Sequence, residues 1–209
     1  MSVTAHLSRY FLFILIFQYI AKEKTMKQTL PLVLMIACSS AAWAGGPFTL
    51  SADNLQNGRF SSQQVLSKDY GFGCSGQNLS PALSWKNPPK GTKSFVLTVY
   101  DKDAPTGLGW MHWVVANIPA NISKLPAGIT ADGKNLPEGA LQTRTDFGAG
   151  GYGGACPPEG RKHRYEITLT ALKVDRLPNV TADASPALVG FFTKANALGK
   201  AAITVEHQR

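Results

Sequence analysis

Residues 94–118 read SFVLTVYDKDAPTGLGWMHWVVANI, two apolar runs separated by a turn-rich segment. Ser94 to Tyr100 is apolar, aromatic and β-branched, with Pro88-Pro89-Lys90-Gly91 before it and Asp101 to Gly109 after it. That combination predicts a strand. Met111 to Ile118 predicts a second, stopped by Pro119. Side chains alternate across a strand, so Trp110 and His112 are expected on one face and Trp113 on the other. Arg164 to Val174 alternates in the same way: His163, Tyr165, Ile167 and Leu169 share one expected face, opposite Arg164, Glu166, Thr168 and Thr170. Ala201 to Glu206 predicts a closing strand and Phe48 to Ala52 a short edge strand. One helix is legible, with Ser185 as its cap and Pro186 in its first position. Its apolar stripe, Leu188, Phe191, Phe192, Ala195 and Leu198, is expected to pack on the sheet, and Gly199 to end the helix. The chain is expected to be mainly β.

The front of the chain reads differently. The apolar run from Tyr10 to Ile20 is followed by Lys22, Glu23 and Lys24. It falls short of the roughly 20 residues that span a bilayer. Met26 and Lys27 then precede the apolar stretch Leu30 to Ala37 and the small-residue end Ala42-Trp43-Ala44. A charged start, a short apolar middle and an A-x-A site form the layout of a secretory leader. Residues 1–44 are therefore read as an N-terminal leader cleaved after Ala44, with translation starting at Met26 and residues 1–25 an over-extended gene start. A single long leader or anchor, and lipid attachment at Cys38, are the alternatives.

What remains, 45–209, is read as one domain of 165 residues with no internal repeat. A chain of that size buries about 70% of its extended surface, enough for one core without metals. It carries 17 Lys and Arg against 12 Asp and Glu, with no basic run longer than Arg161-Lys162. A nucleic-acid binder clusters its cations on one face, and no such cluster is present. Cys74 and Cys156 are the cysteines left after the leader, and an even count in an exported protein predicts a disulfide. The other reading is a pair of buried thiols.

Three segments could carry chemistry. These are Asp101-Lys102-Asp103-Ala104-Pro105 after a strand, Trp110-Met111-His112-Trp113 at the start of the next, and Gly151 to Pro158 followed by His163-Arg164-Tyr165. Taken singly, each has a plain structural reading: a turn, a core histidine, a glycine-rich loop. Asp101, Asp103 and His112 could also hold a divalent metal, since carboxylate and imidazole are its usual ligands. Their spacing gives that reading little support.

Together the segments are more specific. Asp101-x-Asp-Ala-Pro, Trp-x-His-Trp-x-Val-x-Asn-Ile-Pro (Trp110 to Pro119), Tyr-Gly-Gly-x-Cys-Pro-Pro-x-Gly (Tyr152 to Gly160) and His-Arg-Tyr (His163 to Tyr165) resemble the signatures of the phosphatidylethanolamine-binding protein family. Gly73-Cys-Ser-Gly-x-Asn-x-Ser-Pro and Pro89-x-Gly-Thr-Lys-Ser-Phe95 resemble its bacterial, Raf-kinase-inhibitor-like branch. The resemblance runs from about Phe48 to Val205. It implies an antiparallel β-sandwich with one or two peripheral helices and a small pocket for phosphate, a phosphate ester or a carboxylate. It implies that Asp101, Asp103 and His112 line that pocket, that Pro157, Pro158 and the Tyr165 region form its other wall with His163 nearby, and that Tyr152 sits at the rim. Expected donors to the anion are His112 and backbone N–H groups of the glycine-rich loop, with the aspartates orienting His112 or sharing a proton with the ligand.

The chain departs from the family pattern at Lys102 and Ala155, and the Cys74–Cys156 bridge would tie an upstream loop to the rim. No C-terminal helix is expected after Arg209, which implies a more open mouth and argues against carrying over kinase inhibition. The resulting reading is a periplasmic, non-enzymatic anion binder without cofactor, metal, nucleic-acid partner or stable membrane insertion after cleavage. An inhibitor of a kinase or protease is the second reading, and a hydrolase using His112 and Asp103 as an acid–base pair is the third. Self-association into a homodimer is left open. Asn78, Asn121 and Asn179 stand in glycosylation triplets that matter only in a eukaryotic secretory route.

Overall fold

The computed structural model describes residues 46–209. The leader, its cleavage site and Cys38 lie outside the described residues.

Alternation builds the larger sheet. Strands β3 (Ser94–Asp101), β4 (Trp110–Pro119) and β7 (Lys162–Leu172) appear where the period-two patterns place them. They are joined by β6 (Leu141–Gln142) and β8 (Ala197–Gln208) in the order β6-β4-β3-β7-β8. A second sheet of three strands has the order β1 (Thr49–Ala52), β2 (Leu83–Lys86), β5 (Lys124–Leu125). Every pairing between these strands is antiparallel. Leu50, Leu83, Trp85 and Leu125 from the small sheet meet Phe95, Leu97, Val99, Trp113, Ile167 and Leu169 from the large one in a single buried cluster. The chain is therefore an antiparallel β-sandwich. Strands β2, β5 and β6 escaped the sequence reading because four residues, or two, do not establish a period.

Two positions depart from simple alternation. Tyr100 pairs with Met111 and Val99 with Trp113, so β4 carries one extra residue, His112, against β3. Such a bulge puts two neighbouring side chains on one face. His112 and Trp113 are accordingly both turned toward the inter-sheet side, and both are buried. The expectation that they face opposite ways is corrected. A second irregularity falls near Asn117, which adopts φ +58° and accepts the Leu177 N–H on its side chain.

Helix α1 (Pro186–Asn196) starts as expected: Ser185 Oγ accepts from Leu188 N, with Pro186 first in the helix. Its packing differs from the expected stripe. Val189 and Phe192 pack with Val96, Val114 and Leu172 on the outer face of the large sheet, while Phe191 is 68% exposed and Leu188 is also exposed. The helix does not run on to Gly199. Ala197 is already extended and pairs with Leu172, so the demand of β7 for a neighbour overrides helical periodicity at Leu198. Among the described residues no helix is long and apolar enough to cross a membrane.

Candidate functional site

Strand β3 ends at Asp101, β4 begins with Trp110 and His112, and β7 begins with His163, all at one end of the large sheet. A hollow of about 220 Å³ opens there. Its polar lining is Asp101, His112 and His163, together with Thr106. The rest is apolar: Leu66, Phe72, Ala104, Pro105, Trp110, Phe147, Cys156 and Pro158.

The two imidazoles are held in the same manner. His112 is 5% exposed, and its Nδ1 lies 2.8 Å from the Gly153 carbonyl. A carbonyl only accepts, so Nδ1 carries the proton and Nε2 is the nitrogen left for a ligand. The Gly153 N–H returns a bond of 2.9 Å to the His112 carbonyl. His163, also 5% exposed, places its Nδ1 2.6 Å from Asp101 Oδ2 and again leaves Nε2 over. Burial pushes the His112 pKa below the ordinary histidine value, against the opposing pull of the Gly153 carbonyl and the Asp101 and Asp146 charges. Near neutrality an empty hollow therefore presents a lone pair at His112 Nε2.

Both carboxylate oxygens of Asp101 are engaged. Oδ2 takes His163, and Oδ1 accepts the backbone N–H of Asp103 at 2.9 Å, which folds the 101–103 turn. The expectation that aspartate orients His112 is thus corrected: Asp101 orients His163, and a backbone carbonyl orients His112. Asp103 is also not where the resemblance implied. Its carboxylate takes Arg164 through Nε at 2.8 Å and Nη2 at 2.6 Å, and accepts the Arg164 N–H at 2.8 Å. The Arg164 guanidinium holds its pKa down at about 2. Asp103 does not line the hollow, so neither the metal trio nor a His112–Asp103 acid–base pair is assembled.

Other expected residues sort in the same way. Pro158 lines the hollow, whereas Pro157 is buried and outside its lining. Tyr165 lies under it, with its ring 5.2 Å from His112. Burial, with Asp101 close by, raises the Tyr165 pKa, and the hydroxyl has no partner of good hydrogen-bond geometry. Tyr152 is not at the rim. It is 4% exposed, packs on Trp113 and donates to the Gln64 carbonyl at 2.9 Å.

Three N–H groups of the glycine-rich loop are spent within the protein. Gly153 N serves His112, Gly154 N donates to Asn78 Oδ1 at 2.7 Å, and Ala155 N donates to the Gln64 carbonyl at 3.1 Å. Glycine is required here for close approach. A Cβ on Gly154 would lie 2.4 Å from Leu66 N and 2.5 Å from Gln64 O, both backbone atoms that cannot step aside. Gly154→Ala is expected to cost about 3 kcal/mol, the upper end for overpacking. Ala at Gly190, which meets nothing within 4 Å, is expected to be neutral or mildly stabilising. Urea denaturation of the two variants reads the contrast.

Cys74 and Cys156 form a disulfide with Cα atoms 6.0 Å apart, joining the 66–74 segment to the wall of the hollow. The sequence reading missed Leu66, Phe72, Thr106 and Phe147 as wall residues and Asn78 as the brace of the 152–154 loop, and it named Ala104, Pro105 and Trp110 within candidate segments without giving them a place in the wall. For Asn78 a signal existed in the Gly-x-Asn-x-Ser-Pro motif. Phe147 sits in a loop without periodicity, where no local signal exists.

The fold and this hollow define a class: an antiparallel β-sandwich with a compact hollow at one sheet end. The family model for phosphatidylethanolamine-binding protein matches residues 56–208, and the chain belongs to that family. Among curated relatives, the UPF0098 protein YbcL of Escherichia coli K12 is 44% identical over 180 residues, covering 85% of this chain and 96% of that protein. UPF0098 protein YbhB of the same organism is 52% identical over 134 residues, covering 64% and 84%. The crystal structure of E. coli YbcL superposes with a TM-score of 0.73 at 45% identity, covering 78% of this chain and 98% of that one. A family homolog from Chlamydia trachomatis gives 0.59 at 27%, covering 78% and 97%. The chain falls in the bacterial YbhB/YbcL-like branch.

Proposed function

We propose that this chain binds a small oxyanion (phosphate, a phosphate ester or a carboxylate) in the hollow between His112 and His163, without turning it over. The supporting observation is that each buried imidazole spends Nδ1 on a fixed acceptor and keeps Nε2 for a ligand in one shared cavity. Two ring nitrogens converging from β4 and β7 form a donor pair once each carries a proton, and charge-assisted bonds to an oxyanion are the strong ones. Trp110 lines the same cavity with its Nε1 buried and unpartnered.

The potential nucleophiles of the hollow are already engaged, which favours binding over hydrolysis. Thr106 Oγ1 donates to the Gly109 carbonyl at 2.6 Å and accepts from Leu108 N. Cys156 is in the disulfide. In calorimetry with phosphate and phosphoethanolamine, His112→Ala and His163→Ala are each expected to lose about tenfold or more in affinity, the value of one hydrogen bond to a charged group. Tyr152→Phe is expected to bind as the parent does. Unchanged affinity in both histidine variants would remove the hollow as the site. Ester turnover that disappears with His112 would replace this reading with a hydrolase.

A periplasmic location is part of the proposal, supported by the leader pattern and by a disulfide suited to an oxidising compartment. A protein target docking on the mouth is the second reading. It is favoured by Phe72, which lines the hollow and is 55% exposed, and by Leu108, 86% exposed in the segment between the lining residues Thr106 and Trp110. Assays of proteases and kinases with added protein test it.

A further inference from the structure

The hollow has a neighbour. A wider groove of about 630 Å³ adjoins it, and the two share Pro105, Pro158 and His163 as a common wall. The groove adds Asp103, Arg161, Lys162, Arg164 and Glu206. Its charges are not equivalent. Arg164 is spent on Asp103 at 2.6 Å and Lys162 on Glu206 at 3.0 Å. Arg161 has no carboxylate partner among the described residues, while its backbone N–H is fixed in a turn to the Pro158 carbonyl at 3.0 Å. The groove therefore holds one uncommitted guanidinium, on the far side of His163 from the hollow.

We infer that the ligand carries two anionic groups: one seated between His112 and His163, and the second reaching past His163 to Arg161. The inference rests on the anion-binding reading of the hollow and extends it to a second subsite. Guanidinium suits that subsite because it stays charged and meets phosphate or carboxylate through two parallel N–H donors. The neighbouring ion pairs give direction: Arg164 with Asp103 and Lys162 with Glu206 each carry little net charge, which leaves Arg161 as the favourable end of the groove for an anion. Once the first group is seated, the second meets Arg161 at high effective concentration, so even a half-solvated contact adds affinity.

The test compares methylphosphonate, with one head, against a series of alkane bisphosphonates of increasing linker length. In the wild-type chain the best-fitting bisphosphonate is expected to bind about tenfold tighter than methylphosphonate, the worth of one charge-assisted contact. Arg161→Ala is expected to erase that advantage and to leave methylphosphonate affinity unchanged. Lys124→Ala, on β5 in the other sheet, is expected to keep the advantage, which separates a subsite from general attraction to a basic protein. Equal affinity for both probes in the wild type, or an advantage that survives Arg161→Ala, overturns the second subsite while the hollow stands. Methylphosphonate binding that is absent, or indifferent to both His112→Ala and His163→Ala, removes the hollow reading and this inference with it.

Discussion

Sulfate affinity should fall by up to about tenfold for each pH unit above 6.5, the ordinary pKa of histidine. The sign follows from the geometry of His112. Its Nδ1–H is fixed on the Gly153 carbonyl, so the neutral ring offers a lone pair at Nε2, and an oxyanion facing that lone pair is repelled. Burial lowers the pKa of the free protein below 6.5, so at neutral pH binding must draw in a proton. An anion seated on Nε2 favours the imidazolium, which raises the pKa in the complex. Between the two values one proton is taken up per ligand, and the slope is one decade per pH unit. The charged and titrating groups facing His112 are Asp101, Asp146, Tyr165 and, across the hollow, His163. Sulfate is the useful probe because it does not itself titrate here, whereas phosphate can bring its own proton and flatten the slope. His112→Asn should bind weakly and without the pH dependence. A slope that persists in His112→Asn would show that His112 is not the group responsible, and a flat wild-type profile would show that the ligand needs no donor from either ring.

The parts of this site that sequence made legible are those governed by period and by motif. Alternation in 164–174 put His163 and Tyr165 on the inner face, and the strand ends put Asp101 and His112 at one edge. What it could not supply is which partner each polar atom takes. Asp101 and Asp103 stand two residues apart with the same chemistry, yet one turns inward to His163 and the other outward to Arg164, with the Asp103 N–H donating to the Asp101 carboxylate across the turn between them. His112 required an extra residue in β4 that strict alternation forbids. The glycines of 153 and 154 read as anion-binding donors and serve instead to let Gln64, Leu66 and Phe147 come close. The partners these groups finally take, His163 for Asp101, Arg164 for Asp103 and Gly153 for His112, lie dozens of residues away, so no local window contains them. The helix shows the same effect: Leu198 fits a helical stripe, but β7 needs an edge partner and takes it.

Reduction of the Cys74–Cys156 bridge is expected to lower the melting temperature by roughly 8–16 °C. The bridge closes a loop across a sequence separation of 82 residues, and the chain-entropy model values such a closure at about 4 kcal/mol. For a domain of this size each kcal/mol moves the midpoint by about 2–4 °C. The loss should also reach the hollow, because the bridge is one of the attachments of the 66–74 segment, which supplies Leu66 and Phe72 to its wall. The others are backbone bonds, Leu66 N to Ala155 O at 3.1 Å and Gly76 N to Leu66 O at 2.8 Å. Arg209 adds a polar tether, with Nη1 3.1 Å from the Phe72 carbonyl and 3.6 Å from each sulfur, and Nη2 2.9 Å from Glu159. Opening the bridge leaves Phe72, already 55% exposed, free to leave the Trp110–Phe147 aromatic cluster, so anion affinity should drop along with stability. Calorimetric melting of the oxidised protein, the reduced protein and the Cys74→Ser/Cys156→Ser variant separates loss of the covalent link from side effects of the reductant. A shift of only a degree or two in both reduced and variant protein would mean that the backbone bonds and Arg209 hold this wall by themselves, and the bridge would then have no part in shaping the pocket.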